Sequence, residues 1–140
     1  MTTPAAMENL ILHRAPMRFI KTLTSCGENS ATETACFGEN DFAVTGGKVL
    51  ETALVECVAQ TVAAALGHRA QTVVAKPAGA GANGMLVAVS NFKIQSRPPA
   101  GKNLHIEIRE TRRLGPMLMV SGTISCDGQI AASGELSLYA

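Results

Sequence analysis

The sequence has no tryptophan, one tyrosine and four phenylalanines in 140 residues. Aromatic platforms for stacking nucleobases are therefore not available. Twelve Lys and Arg stand against eleven Asp and Glu, a formal net charge of +1, so there is no strong field to draw a polyanion either. Nucleic acid is excluded as the expected partner. No apolar run reaches the roughly 18–20 residues of a membrane span. The opening MTTPAAMENL lacks the basic start and long apolar core of a secretory signal. A cytoplasmic protein without a membrane partner is expected. Cys26, Cys36, Cys57 and Cys126 show neither CxxC spacing nor clustering with histidine, so they read as buried reduced thiols rather than a zinc site, and no metal is expected.

Hydrophobic residues make up 46% of the chain, and 140 residues suit one domain over 1–140. Met17–Cys26 and Ser30–Phe37 read as two strands joined by a turn at Gly27-Glu28-Asn29. The second alternates Ala31, Glu33, Ala35 and Phe37 against Thr32, Thr34 and Cys36. Gly38–Gly47 reads as irregular. From Val49 to Leu66 about five turns follow without Gly or Pro, so a helix is expected there, ending at Gly67. After a Gly/Ala-rich loop at Lys76–Gly84, four strand-like runs follow. They are separated by Arg97-Pro98-Pro99-Ala100-Gly101, by Gly115-Pro116 and by Asp127-Gly128, the last a two-residue hairpin turn. Strands and helix segregated in this way imply an α+β fold, with the helix on one face of an antiparallel sheet.

The helix is apolar nearly all round, which means that it is covered on every side. An ionised Glu56 in its middle is then costly unless paired or hydrogen-bonded. Thr52 and Gln60 lie one turn to either side and offer a hydrogen-bonded stripe. Two readings stand: Glu56 solvates an exposed rim of the helix, or it is a carboxyl in a narrow apolar tunnel, poised to deliver a proton. Arg97, Lys102, Arg109, Arg112 and Arg113 give the C-terminal half a local basic excess. Arg112-Arg113 before Leu114-Gly115 read as a solvated strand end, or the set reads as a rim that steers an acidic partner.

Specific residues resemble one family. Glu56-Cys57-Val58-Ala59-Gln60 is similar to the Glu-x-x-Ala-Gln of the 3-hydroxyacyl-acyl-carrier-protein dehydratases of fatty-acid synthesis, and Leu12-His13-Arg14-Ala15-Pro16 resembles their Pro-His-Arg-x-Pro entry. Val89–Ile94 with Arg97–Gly101 resembles their third strand and Arg-Pro-x-x-Pro-Gly turn, so the likeness spans roughly residues 10 to 139 in order. His13-Arg14-Ala15-Pro16-Met17 is similar, in addition, to dehydratase-like proteins of aryl-polyene gene clusters. The resemblance implies the hotdog fold, a long central helix wrapped by a curved antiparallel sheet, and at least a dimer. It also implies removal of water from a 3-hydroxyacyl thioester to give the trans-2-enoyl thioester, in fatty-acid or polyene biosynthesis. The substrate would ride on the phosphopantetheine of an acyl carrier protein, with no other cofactor.

On that resemblance Glu56 assists departure of the 3-hydroxyl, Gly46 and Gly47 offer backbone N–H groups to the thioester oxygen, and Gln60, Phe42 and Phe92 line the substrate site. The family's base, a histidine followed by Phe-Pro in the loop ahead of the helix, has no counterpart. Phe42 stands where it falls by counting back from Glu56. His68 is twelve residues beyond Glu56, about 18 Å along the helix. His105 alternates with Leu104 and Ile106 and so points away from the core. His13 remains, either as a base reaching the tunnel mouth or as a residue fixing the entry of the first strand. Two further functions stay open: a non-catalytic partner subunit in a heteromeric dehydratase, and a hotdog acyl thioesterase with Glu56 as base.

Overall fold

The computed structural model describes residues 18–73 and 85–139. Strands β1 (Ile20–Cys26) and β2 (Ser30–Ala35) lead through a short hairpin, β3 (Val44–Thr45) and β4 (Lys48–Val49), into helix α1 (Glu51–Val73). Four long strands follow, β5 (Met85–Ile94), β6 (Leu104–Leu114), β7 (Met117–Cys126) and β8 (Gln129–Tyr139). The six longer strands form one antiparallel sheet in the order β1-β2-β6-β7-β8-β5. One helix against a six-stranded antiparallel sheet is the α+β hotdog arrangement. No helix among the described residues is long and apolar enough to cross a membrane.

Alternation places the core. Leu104, Ile106 and Ile108 of β6 are buried while His105, Glu107 and Arg109 are exposed, so one sheet face meets α1. From the helix side, Leu54, Cys57, Val58, Val62 and Ala64 are buried against it. The Asp127-Gly128 turn has φ of 53° and 80°, the left-handed pair that matches strand twist, and it sets Cys126 opposite Gln129.

Three local expectations are corrected. The helix starts at Glu51 rather than Val49, because Val49 is held in the β3–β4 ladder opposite Val44, and the Leu50 carbonyl is the one that accepts the first helical N–H groups, from Ala53 at 3.1 Å and Leu54 at 3.3 Å. It also continues through Gly67, which is buried, for another six residues to Val73. Glycine costs a helix about 1 kcal/mol. Past Gly67, Arg69 donates to the Gly27 carbonyl at the β1–β2 turn (3.2 and 3.3 Å) and pairs with Glu110 at 3.8 Å, tertiary contacts that offset that cost. The stretch expected to be irregular holds the β3–β4 hairpin, with its two-residue turn at Gly46-Gly47.

Helix and sheet meet closely at Gly122, where an added Cβ would lie 2.5 Å from Val58 Cγ1. Overpacking of this kind costs typically 1–3 kcal/mol. Gly122→Ala is expected to lower the thermal midpoint accordingly, and Val58→Ala in the same chain to recover part of the loss relative to the sum of the single variants. Strict additivity in a double-mutant cycle would show that the two do not touch.

Candidate active site

Glu56 lies on the second turn of α1, half-buried, and accepts a hydrogen bond from Gln60 Nε2 at 3.2 Å, an (i, i+4) pair. Gln60 is fully buried, and its Oε1 accepts the backbone N–H of Phe19 at 2.8 Å, just ahead of β1. Gln60 therefore does not face open space. It ties the Glu56 carboxyl to the backbone that enters the sheet.

Phe19 is also the wall of a cavity of about 560 Å³, lined among others by Arg18, Lys21, Cys36, Phe37 and Phe42. The Phe19 ring packs on Phe37 at 5.3 Å and on Phe42 at 5.8 Å between centroids, tilted contacts favourable for aromatic pairs. Phe37 is buried, whereas Phe42 is 57% exposed at the rim. The cavity falls in the size range of small-ligand sites. Its apolar wall and Glu56 are linked through Gln60.

Ahead of the helix, Gly46 and Gly47 adopt φ of +64° and +75°, conformations that favour glycine. Neither N–H donates to a backbone carbonyl among the described residues. Glu56 is five residues past the first helical residue, about 7.5 Å along the axis.

A second carboxyl sits under the helix. Glu33 of β2 is fully buried, and burial pushes its pKa up to about 8 from 4.5, against the lowering effect of the Thr34 and Thr22 N–H groups. Register shifts interrupt the β1–β2 ladder at Ile20/Thr22 and Leu23/Ser25. There Glu33, opposite Leu23, accepts the Thr34 N–H on Oε1 at 3.1 Å, while Oε2 has no hydrogen-bond partner. Burial thus favours the protonated form of this carboxyl at neutral pH. It was not among the candidate residues, although the alternation had set it on one face with Ala31, Ala35 and Phe37. Cys57, fully buried beside these acids, has its thiol pushed far up by burial, then by Glu56 and Glu33, and is no nucleophile.

Other residues fall elsewhere. His13 and the Leu12–Pro16 motif lie outside the described residues, as does the loop at 76–84. Phe92 is half-buried on β5, at the opposite sheet edge from β1, and packs against Gly134 of β8, so it is not part of the Phe19–Phe37–Phe42 wall. His105 is exposed on the outer face, as expected. The basic excess is largely committed: Arg97 bonds three carbonyls of the β3–β4 segment, Lys102 lies 3.3 Å from Asp127, and Arg113 lies 3.3 Å from Glu110. No metal-binding group of His, Cys, Asp or Glu occurs among the described residues.

Solved structures share this architecture. The dehydratase heterocomplex ApeI:P from Xenorhabdus doucetiae matches with a TM-score of 0.85 at 18% identity, covering 96% of this chain and 90% of that one. The E. coli PaaI protein from the phenylacetic acid degradation operon matches with a TM-score of 0.66 at 13% identity, covering 84% and 81%. Thioesterase superfamily member 2 from Mus musculus matches with a TM-score of 0.64 at 15% identity, covering 84% and 80%. At these identities the likeness establishes the fold. Among curated proteins there is no match. The model of the family described as ApeP-like, ApeP dehydratase, matches residues 5–140, and the chain belongs to that family.

Proposed function

We propose that this chain takes part in dehydrating a 3-hydroxyacyl thioester carried on an acyl carrier protein, with Glu56 as the proton donor, within an assembly of two dehydratase-like chains. The observation that carries the reading is the Glu56–Gln60–Phe19 connection. It ties a half-buried carboxyl in the middle of a largely apolar helix, through Gln60, to the backbone N–H of Phe19, a residue that lines the aromatic-walled cavity. A base removes the proton on C2, and charge moves onto the thioester oxygen. The C3–O bond then breaks as Glu56 transfers its proton to the departing hydroxyl, releasing water and leaving the trans-2-enoyl thioester. The exposed N–H groups of Gly46 and Gly47 are the donors that meet the charged oxygen. Membership of a dehydratase family supports this chemistry, and the similar ApeI:P structure is itself a heterocomplex.

The loop 38–48 holds no histidine, so the base is either His13 or a group of the second chain. β5 offers a surface for that chain. It is an edge strand, and Leu86, Val87 and Val89 on it are exposed, with Ile130 and Tyr139 exposed on the neighbouring β8. An edge of this length and apolarity is one that proteins pair or cover.

Incubation with a 3-hydroxyacyl carrier thioester, alone and with a second dehydratase-like chain, tests the reading by product. The enoyl thioester is expected. Turnover by this chain alone, lost in His13→Ala, assigns the base to this chain. Turnover only in the mixture, and kept there when this chain carries His13→Ala, assigns it to the other. Free carrier thiol without enoyl product would mean thioester hydrolysis and would overturn the proposal.

A further inference from the structure

Arg97 stands at the start of the Arg97-Pro98-Pro99-Ala100-Gly101 turn after β5, and its guanidinium reaches back to the segment that leads into α1. Nε donates to the Val49 carbonyl, and Nη2 donates to the Thr45 and Lys48 carbonyls, each at 2.9 Å. The same turn adds backbone bonds from the Val49 N–H to the Pro98 carbonyl at 2.8 Å and from the Ala100 N–H to the Gly47 carbonyl at 2.9 Å. Gly46 and Gly47 are bracketed between these contacts. Both are exposed, with open space where a Cβ would stand.

In a trans peptide the C=O and the following N–H lie in one plane and point in opposite directions within it. Holding the Thr45 carbonyl on the guanidinium therefore turns the Gly46 N–H outward, away from Arg97. A cation on the carbonyl side also polarises the peptide and strengthens its N–H as a donor. Three carbonyls are reached because the guanidinium is a planar fork. An ammonium is a point charge and cannot span them in this geometry.

We infer that Arg97 is the positioning residue of the thioester site: it fixes and polarises the Thr45–Gly46 peptide, so that the Gly46 N–H is aimed in advance at the oxygen that becomes negative as the C2 proton leaves. The inference rests on the thioester reading above. Arg97 itself does not touch substrate, and its effect passes through the loop.

Arg97→Lys and Arg97→Met in the full chain, assayed with the second chain present, test this with two readouts. Backbone order parameters at Gly46 and Gly47 are expected near 0.85 in the wild type and below about 0.6 in both variants. kcat is expected to fall about 10- to 100-fold with KM changed by less than about twofold, as for a displaced oxyanion donor. Lysine is expected not to rescue. Unchanged order parameters would overturn the inference. So would a loss of kcat no larger than the loss of folded protein measured by circular dichroism. If the wild type makes no enoyl product in any mixture, the dehydration reading fails. Arg97 is then judged by the order parameters together with binding of an inert thioester analogue: weaker binding by both variants supports it, and unchanged binding removes it.

Discussion

Raising the pH from 5 to 9 is expected to cost the folded protein about 3–5 kcal/mol through Glu33 alone, and Glu33→Gln to remove most of that slope. In the unfolded chain this carboxyl releases its proton near pH 4.5, whereas in the folded chain burial holds the proton until about pH 8. Between those values the unfolded state is the one that has lost the proton. Each pH unit then lowers the unfolding free energy by about 1.4 kcal/mol, and the loss is complete above pH 8. Below pH 4.5 both states carry the proton and the contribution is fully present. Glutamine keeps a carbonyl oxygen for the Thr34 N–H and places a neutral NH₂ where Oε2 has no partner. An amide there costs something at every pH. The variant is thus expected to be less favoured at pH 5 and more favoured at pH 9. Urea unfolding of both proteins across this range gives the comparison, because all other titrating groups are common to the two. Parallel profiles would show that Glu33 is ionised in the folded state.

The residues that made this fold legible in the sequence are those whose signals are local. β6 alternates as Leu104, His105, Ile106 and Glu107 require, the Asp127-Gly128 turn closes its hairpin, and the apolar run through Val58 and Val62 is helical. Gly67 misled because what carries the helix past it is Arg69 reaching the Gly27 carbonyl, 42 residues away. Arg97 read as part of a steering basic excess and of a turn motif, and its bonds stayed hidden for the same reason, since its carbonyl partners lie 48 to 52 residues earlier. Glu33 was set on the apolar face by alternation. That it is buried with one oxygen unpartnered follows from the β1 register shifts and the seat of α1 above it, which no window of sequence contains. For the site, Glu-x-x-Ala-Gln pointed to Glu56 and Gln60 together. That the Gln60 Oε1 accepts the Phe19 N–H while its Nε2 donates to Glu56 emerged from the tertiary structure.

Glu56→Gln is expected to leave the fold intact and to lower kcat for dehydration by about 10²- to 10⁴-fold, the usual contribution of a general acid. The replacement conserves volume, and its carbonyl oxygen still accepts from Gln60 Nε2, so the tie to Phe19 survives. What is lost is the proton for the 3-hydroxyl. An amide does not supply one, and hydroxide is a poor leaving group from C3. On the proposed reading substrate is held by the cavity and the loop donors rather than by Glu56, so KM is expected to change little. Gln60→Ala is expected to have a milder effect, because it removes the orienting bond and leaves the acid in place. It also leaves the Phe19 N–H without its acceptor.

The central claim is that Glu56 of this chain supplies the proton, and single-turnover dehydration tests it most directly. The two-chain assembly is reconstituted with Glu56→Gln in this chain and the second chain unaltered. Formation of the enoyl carrier thioester is then followed by mass spectrometry. Loss of at least 10²-fold in the rate, with the assembly intact by size-exclusion chromatography, is the predicted result. An unchanged rate would contradict the account and leave this chain as a structural partner whose glutamate does no chemistry.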